Sequence, residues 1–185
     1  MTTSGDTKEA ILDAAFRLFL ERGFDGTSLA QILDAVPYSK GALYHHFANK
    51  EALLDAVIER FFTALIETPQ RPRPTTATAL TRRLVDDYVG SLEEIAQRST
   101  VLAYYSFLTA IAPRATQAIR DARAAVVAEL VAALALEHHP PSDPETVASD
   151  VIAIVEGHGL VAAMQGTVPD RADLYRAAQR VLETA

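Results

Sequence analysis

Apolar residues recur along this chain at helical spacing, and strand-like alternation is absent. Ile11, Leu12, Ala15, Phe16, Leu18 and Phe19 form a wide apolar stripe over a helix near 6–22, and Gly23 ends it, as a glycine just past a helix commonly does. A second helix opens at Ser28 with Gln31 three residues on, the pattern of a reciprocal cap, and its inward side is Leu29, Ile32, Leu33 and Val36. Pro37 stops it, because the residue before a proline is pushed out of the helical region. Ser39 predicts the N-cap of a third short helix, with Leu43 and Phe47 four apart on one face. A fourth helix, near 49–67, carries Leu53, Leu54, Val57, Ile58, Phe61, Phe62, Leu65 and Ile66 on more than one face, as a helix between two packed bodies would. The proline-rich stretch 68–76 reads as a connector. Beyond it the pattern predicts helices near 76–98, 99–112 (ended by Pro113), 114–138, 144–166 and 170–184.

The expected fold is therefore all-α. Residues 1–50 form an N-terminal three-helix unit, the helix at 49–67 connects, and a larger helical body covers 68–185. A chain of 185 residues can bury a real core in one or two domains. It has no Cys, so disulfides and thiolate metal sites are excluded. No apolar run reaches the length of a bilayer span, and the start lacks the basic and apolar regions of a signal peptide. The expectation is a cytoplasmic protein with no membrane partner.

Three linked pieces in the first third carry the functional signal. They are Gly23-Phe24-Asp25-Gly26-Thr27-Ser28, then Ser39-Lys40-Gly41-Ala42-Leu43-Tyr44-His45-His46-Phe47, then Asn49-Lys50-Glu51-Ala52-Leu53-Leu54. The third short helix has few large apolar residues and several donors, as a helix does when one side packs and the other reads a DNA groove. Lys40 can donate to guanine O6 and N7, the Ala42 methyl can meet a thymine methyl, and Gly41 lets the backbone approach a base edge. Tyr38 and His45 share that outward side. Thr27, Ser28, Tyr44 and Lys50 are placed to hold phosphates.

At this spacing, residues 6–67 resemble the DNA-binding domain of the TetR family of transcriptional regulators. The resemblance implies a helix-turn-helix domain followed by a larger helical ligand-binding and dimerisation domain. It implies base contacts near Lys40, Gly41 and Ala42, following the Ser39 cap, and phosphate contacts from Thr27, Ser28, Tyr44, His46 and Lys50. It also implies operator DNA, a second copy of the chain and a small-molecule effector as partners. One departure stands out. Pro37-Tyr38 replaces the glycine and small apolar residue usual before the serine, and proline cannot supply a positive φ. The turn must close differently, or the second helix must end earlier; Tyr38 then becomes a further candidate phosphate or base contact.

Charge pulls the other way. The net charge is −7, and in residues 1–67 Lys8, Arg17, Arg22, Lys40, Lys50 and Arg60 face ten Asp and Glu. No basic stripe announces nucleic acid, so non-specific binding should be weak.

In the body, small residues mark two helices. Ala118, Ala122, Ala125, Ala132 and Ala133 line the helix at 114–138, and Val155, Gly159, Ala162, Ala163 and Gly166 line that at 144–166. Gly157 and Gly159 inside a helix each cost roughly 1 kcal/mol relative to Ala, which close helix–helix approach would justify. The expectation is a four-helix interface with a second copy; the alternative is packing inside one subunit. Phe61, Phe62, Leu65, Tyr88, Tyr104, Tyr105, Phe107, Leu108 and His158 are candidates for an apolar or aromatic effector site, with plain core as the alternative. The resemblance implies that an occupied site shifts the fourth helix and moves the reading heads apart.

An enzyme is not expected. There is no Gly-rich phosphate loop, no Gly-x-Ser-x-Gly and no His-Glu-x-x-His. The histidine pairs 45/46 and 138/139 are adjacent, so on a helix they diverge by about 100° and chelate poorly. No metal and no cofactor are expected. The reading is a ligand-responsive DNA-binding regulator, a repressor released by its effector. The alternative is a helical ligand-binding or interaction module whose DNA binding has weakened.

Overall fold

The computed structural model describes residues 4–66 and 74–184, with eight α-helices among them. They are α1 (Ser4–Arg22), α2 (Leu29–Asp34), α3 (Lys40–His46), α4 (Lys50–Ile66), α5 (Ala77–Ala96), α6 (Val101–Leu134), α7 (Pro144–Met164) and α8 (Arg171–Thr184). Most of the expected connector, residues 67–73, and the side chain of Leu65 lie outside the described residues.

Local chemistry accounts for the ends of these helices. Gly23 takes φ 74°, the left-handed conformation that suits glycine after a helix. Ser28 and Gln31 exchange reciprocal cap bonds at α2, and the Ser39 hydroxyl accepts from the Ala42 N–H at α3. Thr76, Thr100 and Asp143 cap α5, α6 and α7 in the same way.

Two large apolar clusters and a smaller one around Leu92, Val101 and Ala163 hold the described residues. The first joins α1, α2 and α3 to α4 and continues into α6, with Ile11, Phe19, Ile32, Leu43, Leu53, Val57, Phe107 and Ile111 buried together. The second packs α5, the end of α6, α7 and α8 through Val85, Val89, Leu130, Val151 and Leu174. α6 runs through both, so one rigid element spans the head and the body.

That continuity corrects the expected break at Pro113. The helices predicted near 99–112 and 114–138 are one 34-residue helix with Pro113 inside it. Proline removes one backbone bond, to the carbonyl four residues earlier, at Thr109. Thr109, Ala110, Pro113 and Arg114 are all exposed, so water can satisfy the freed group. Phe107, Ile111 and Ala115 anchor the opposite side in the first core on both flanks of the proline. Tertiary packing outweighs the local penalty.

α7 brings a second correction. By length and composition it could cross a membrane, which the run-length reading missed. Here it is a core helix, with Val147, Ala148, Val151, Val155, Ala162 and Ala163 buried.

The small-residue stripes divide: Ala118, Ala122 and Ala125 are half-buried, and Ala132 and Gly166 are exposed. Ala133, Val155, Gly159, Ala162 and Ala163 are all buried within this chain. A methyl on Gly159 would overlap the hydroxyls of Tyr88 and Tyr105, so the close approach that glycine permits is intramolecular. The apolar side of α7 that remains open is a different one: Gly157, Leu160, Val161 and Met164.

Candidate nucleic-acid interface

The reading head is built on α3. Leu43 is fully buried and Phe47 nearly so, which fixes one face of this short helix against α1, α2 and α4. The opposite face presents Ser39, Lys40, Gly41, Tyr44 and His45, all exposed. The Lys40 ammonium lies 5.7 Å from the centre of the Tyr44 ring, and Tyr44 is 45% exposed. An added Cβ at Gly41 would meet nothing closer than the Ser39 hydroxyl at 3.7 Å, so the surface there is open to a base edge. Ala42, Tyr38 and His46 are half-buried at the margin, and Tyr38 packs partly on the first core instead of pointing fully outward.

The Pro37 turn closes without a positive φ at any residue, and α2 ends at Asp34, three residues before the proline. The chain takes both ways out that proline leaves open, a turn closed without positive φ and an earlier helix end.

Ser28 is exposed at the start of α2. Thr27 is not beside it in any useful sense: it is 1% exposed, and its hydroxyl donates to the carbonyls of Leu18 (3.2 Å) and Gly23 (2.9 Å). Lys50 also turns inward. Its ammonium donates to the carbonyls of Phe24 (2.8 Å) and Thr27 (3.0 Å) and sits 4.2 Å above the Phe24 ring. The sequence reading placed both side chains on phosphates; the structure commits them to the α1–α2 turn.

The head's other cations divide clearly. Arg60 pairs with Glu9 and Asp13, and Arg17 with Glu21. Lys40 remains as the outward cation on the reading helix.

In the body, the candidate effector residues separate into groups. Phe62 and Phe107 are buried in the first core, with Phe61 and Leu108 packed on it. Tyr88, Tyr104 and Tyr105 gather where α5, α6 and α7 meet. The Tyr88 and Tyr105 hydroxyls hydrogen-bond to each other over Gly159. Burial raises the pKa of Tyr88, Tyr104 and Tyr105 above the ordinary phenol value, so all three stay protonated. His158 stands apart, exposed, with Nδ1 2.9 Å from the Ile154 carbonyl; it lines an open groove of about 510 Å³ with Val161, Gln165 and Thr167. The ring contacts Phe16–Phe61 (5.9 Å), Phe61–Tyr104 (6.0 Å) and Tyr104–Tyr105 (5.4 Å) make a continuous path from α1 through α4 and α6 to the tyrosine cluster.

Residues 11–57 match the bacterial regulatory proteins of the tetR family. That stretch is a TetR-family DNA-binding region. It is 30% identical over 99 residues to the HTH-type transcriptional repressor NemR of Escherichia coli (strain K12), a match covering 54% of this chain. The chain spans about half (50%) of that relative's length. Among solved structures it resembles GusR of Salmonella enterica, at 25% identity and a TM-score of 0.68 over 99% of this chain and 98% of that one. It also shares its fold with a TetR transcription regulator from Haloarcula marismortui, at 20% identity and a TM-score of 0.72 over 97% and 98% of the two chains.

Sequence reasoning missed three features of this chain. Phe24 forms the seat of the Lys50 ammonium, which no periodicity signals. Asp55 of α4 and Arg114 of α6 join the head to the body as an ion pair, separated by 59 positions. Gly159 did carry a signal, a glycine inside an apolar helix, but the partner it accommodates is a pair of tyrosines and not a second copy.

Proposed function

We propose that this chain is a ligand-responsive transcriptional repressor that binds double-stranded operator DNA as a homodimer and leaves it when a small, largely apolar or aromatic effector binds. The observation that carries this is the two-sided α3: Leu43 and Phe47 inside, Ser39, Lys40, Gly41, Tyr44 and His45 outside. In this reading Lys40 and Gly41 meet base edges, with Ala42 at the margin of that contact. Ser28, Tyr44 and His46 hold phosphates, and Tyr38 contributes through its exposed edge.

The head is assigned to residues 1–50, α4 to the connection, and 68–185 to effector binding and dimerisation. The open stripe Gly157, Leu160, Val161 and Met164 of α7 supports pairing with a second copy, together with neighbouring parts of α6. The tyrosine cluster supports an effector that accepts hydrogen bonds from phenols within an apolar surround. Such an effector weakens DNA binding only by its preference for the non-binding state. The aromatic path through Phe61 gives that preference a route to α4. Binding to operator DNA supports a cytoplasmic location. NemR is a transcriptional repressor, and the family match over residues 11–57 weighs against the alternative of a helical module without DNA binding.

The test is an anisotropy titration on DNA flanking the chain's own gene, and on sequences selected from a random library, at two salt concentrations. Tight, salt-sensitive binding that is lost in Lys40→Ala plus Tyr44→Ala supports the reading. No selected sequence at low salt rejects it.

A further inference from the structure

Residues 28–49 hold the whole reading unit, and both of its ends meet at one side chain. The unit is entered through the turn Gly23–Thr27 and left through Asn49, whose side chain caps α4 by accepting from the Ala52 N–H at 2.7 Å. The next residue, Lys50, reaches back 23 positions to the Thr27 carbonyl and 26 to the Phe24 carbonyl. An ammonium has three donors and no acceptor. Two of these are spent on carbonyls at 2.8 and 3.0 Å, and the Phe24 ring lies 4.2 Å below the charge. Bonds from a charged donor are the strong ones, and the ring adds cation–π attraction.

The turn requires glycine at two positions. Gly23 is left-handed, and a methyl on Gly26 would overlap the Arg22 carbonyl. The buried Thr27 hydroxyl ties the turn to α1 at Leu18 and Gly23. So the turn is stitched to α1 by Thr27 and to α4 by Lys50, and the N-cap of α2, Ser28, follows directly.

We infer that Lys50 is a positioning residue, a clasp that closes the base of the α2–α3 unit and locks it to α4, and not a phosphate contact. This rests on the DNA-reading function proposed above. α3 is only seven residues long and holds few apolar side chains of its own. Leu43 and Phe47 hold its inner face, and what fixes the unit's two ends sets the rest of its angle to α4. A dimeric reader needs both reading helices at a set spacing. Opening the clasp therefore degrades sequence discrimination and leaves the general attraction to phosphates in place. It also uncouples the unit from α4, the helix through which the body's state reaches the head.

The experiment compares the full chain with Lys50→Met, which keeps the stem and removes the donors. Affinity for a selected operator and for random DNA is measured across a salt series, below the melting temperature of both proteins. The clasp predicts an operator affinity lower by about tenfold or more, random-sequence affinity nearly unchanged, and the wild-type salt slope retained. A phosphate contact instead weakens both DNAs alike and reduces the slope by about one unit, which overturns the assignment. A lower melting temperature with unchanged operator affinity also overturns it, because the role is then stability alone. If Lys50→Met does not fold, the Lys50 ammonium is followed by NMR in the wild-type protein. A signal protected in the free protein and unmoved by operator supports the clasp; one that shifts on operator addition overturns it. A wild-type chain that selects no sequence at all rejects the DNA-reading function itself, whereas a slope change in the variant rejects only the role given to Lys50.

Discussion

Asp55 of α4 and Arg114 of α6 face each other as a two-pronged pair, Nε to Oδ1 at 2.6 Å and Nη2 to Oδ2 at 3.1 Å. The pair sits one residue after Pro113, on the exposed side of the helix that crosses both cores. The hydrogen bond from Arg114 holds the Asp55 carboxyl below its ordinary value of 3.8. A carboxylate whose pKa is lowered by folding stabilises the fold above the unfolded value and loses that contribution as pH falls through the folded value. The stability gap between wild type and Arg114→Met should therefore be flat above about pH 5 and close progressively below about pH 4. Urea unfolding at a series of pH values measures it. A gap that persists at about pH 2 would exclude the pair as its source.

The tyrosine cluster gives a steric prediction. Gly159→Ala places a methyl where the Tyr88 and Tyr105 hydroxyls meet, so it should destabilise the chain by about 1–3 kcal/mol. Adding Tyr88→Phe removes the nearest obstacle, the Tyr88 hydroxyl, but leaves its Cζ at 2.7 Å, so it should recover only part of that loss. Additive penalties in the double variant would mean that the two sites do not touch.

On α3, inside and outside separate by experiment. Leu43→Ala empties a fully buried position and should cost about 2–5 kcal/mol. Tyr44→Ala, one residue on, should stay within about 0.5 kcal/mol of wild type in thermal unfolding. It should nevertheless weaken operator binding, since its ring stands on the outer face with Lys40. Equal thermal losses in the two variants would reject the assigned faces.

The open stripe of α7 is tested by charge. Val161→Asp, or Met164→Glu, alters side chains that are 54% and 71% exposed in the single chain. Helix content should not change, and sedimentation should show the dimer shifting to monomer. A monomeric wild type at micromolar concentration would reject this surface as the pairing face.

The local features were legible from residue order because their causes span only a few positions. The Ser28–Gln31 cap, the Ser39 cap and the left-handed Gly23 each need neighbours within about one helical turn, and all three stand where the pattern put them. The same holds for Leu43 and Phe47, whose spacing alone marks the packed side of α3. Because these features set the motif, the family was readable as well.

Packing between distant segments decided the rest. Pro113 should break a helix, but Phe107, Ile111 and Ala115 are held in the first core on both sides of it, and the exposed face leaves the freed carbonyl to water. Lys50 looks like a surface cation until the fold brings two carbonyls and a ring beneath it from 23 and 26 residues away. Gly159 signals close approach, but only the crossing of α5, α6 and α7 shows that two tyrosine hydroxyls are what approaches. Helical periodicity reports which side of a helix is apolar; which neighbour covers that side depends on contacts between segments far apart in the chain, and those exist only once the chain has folded.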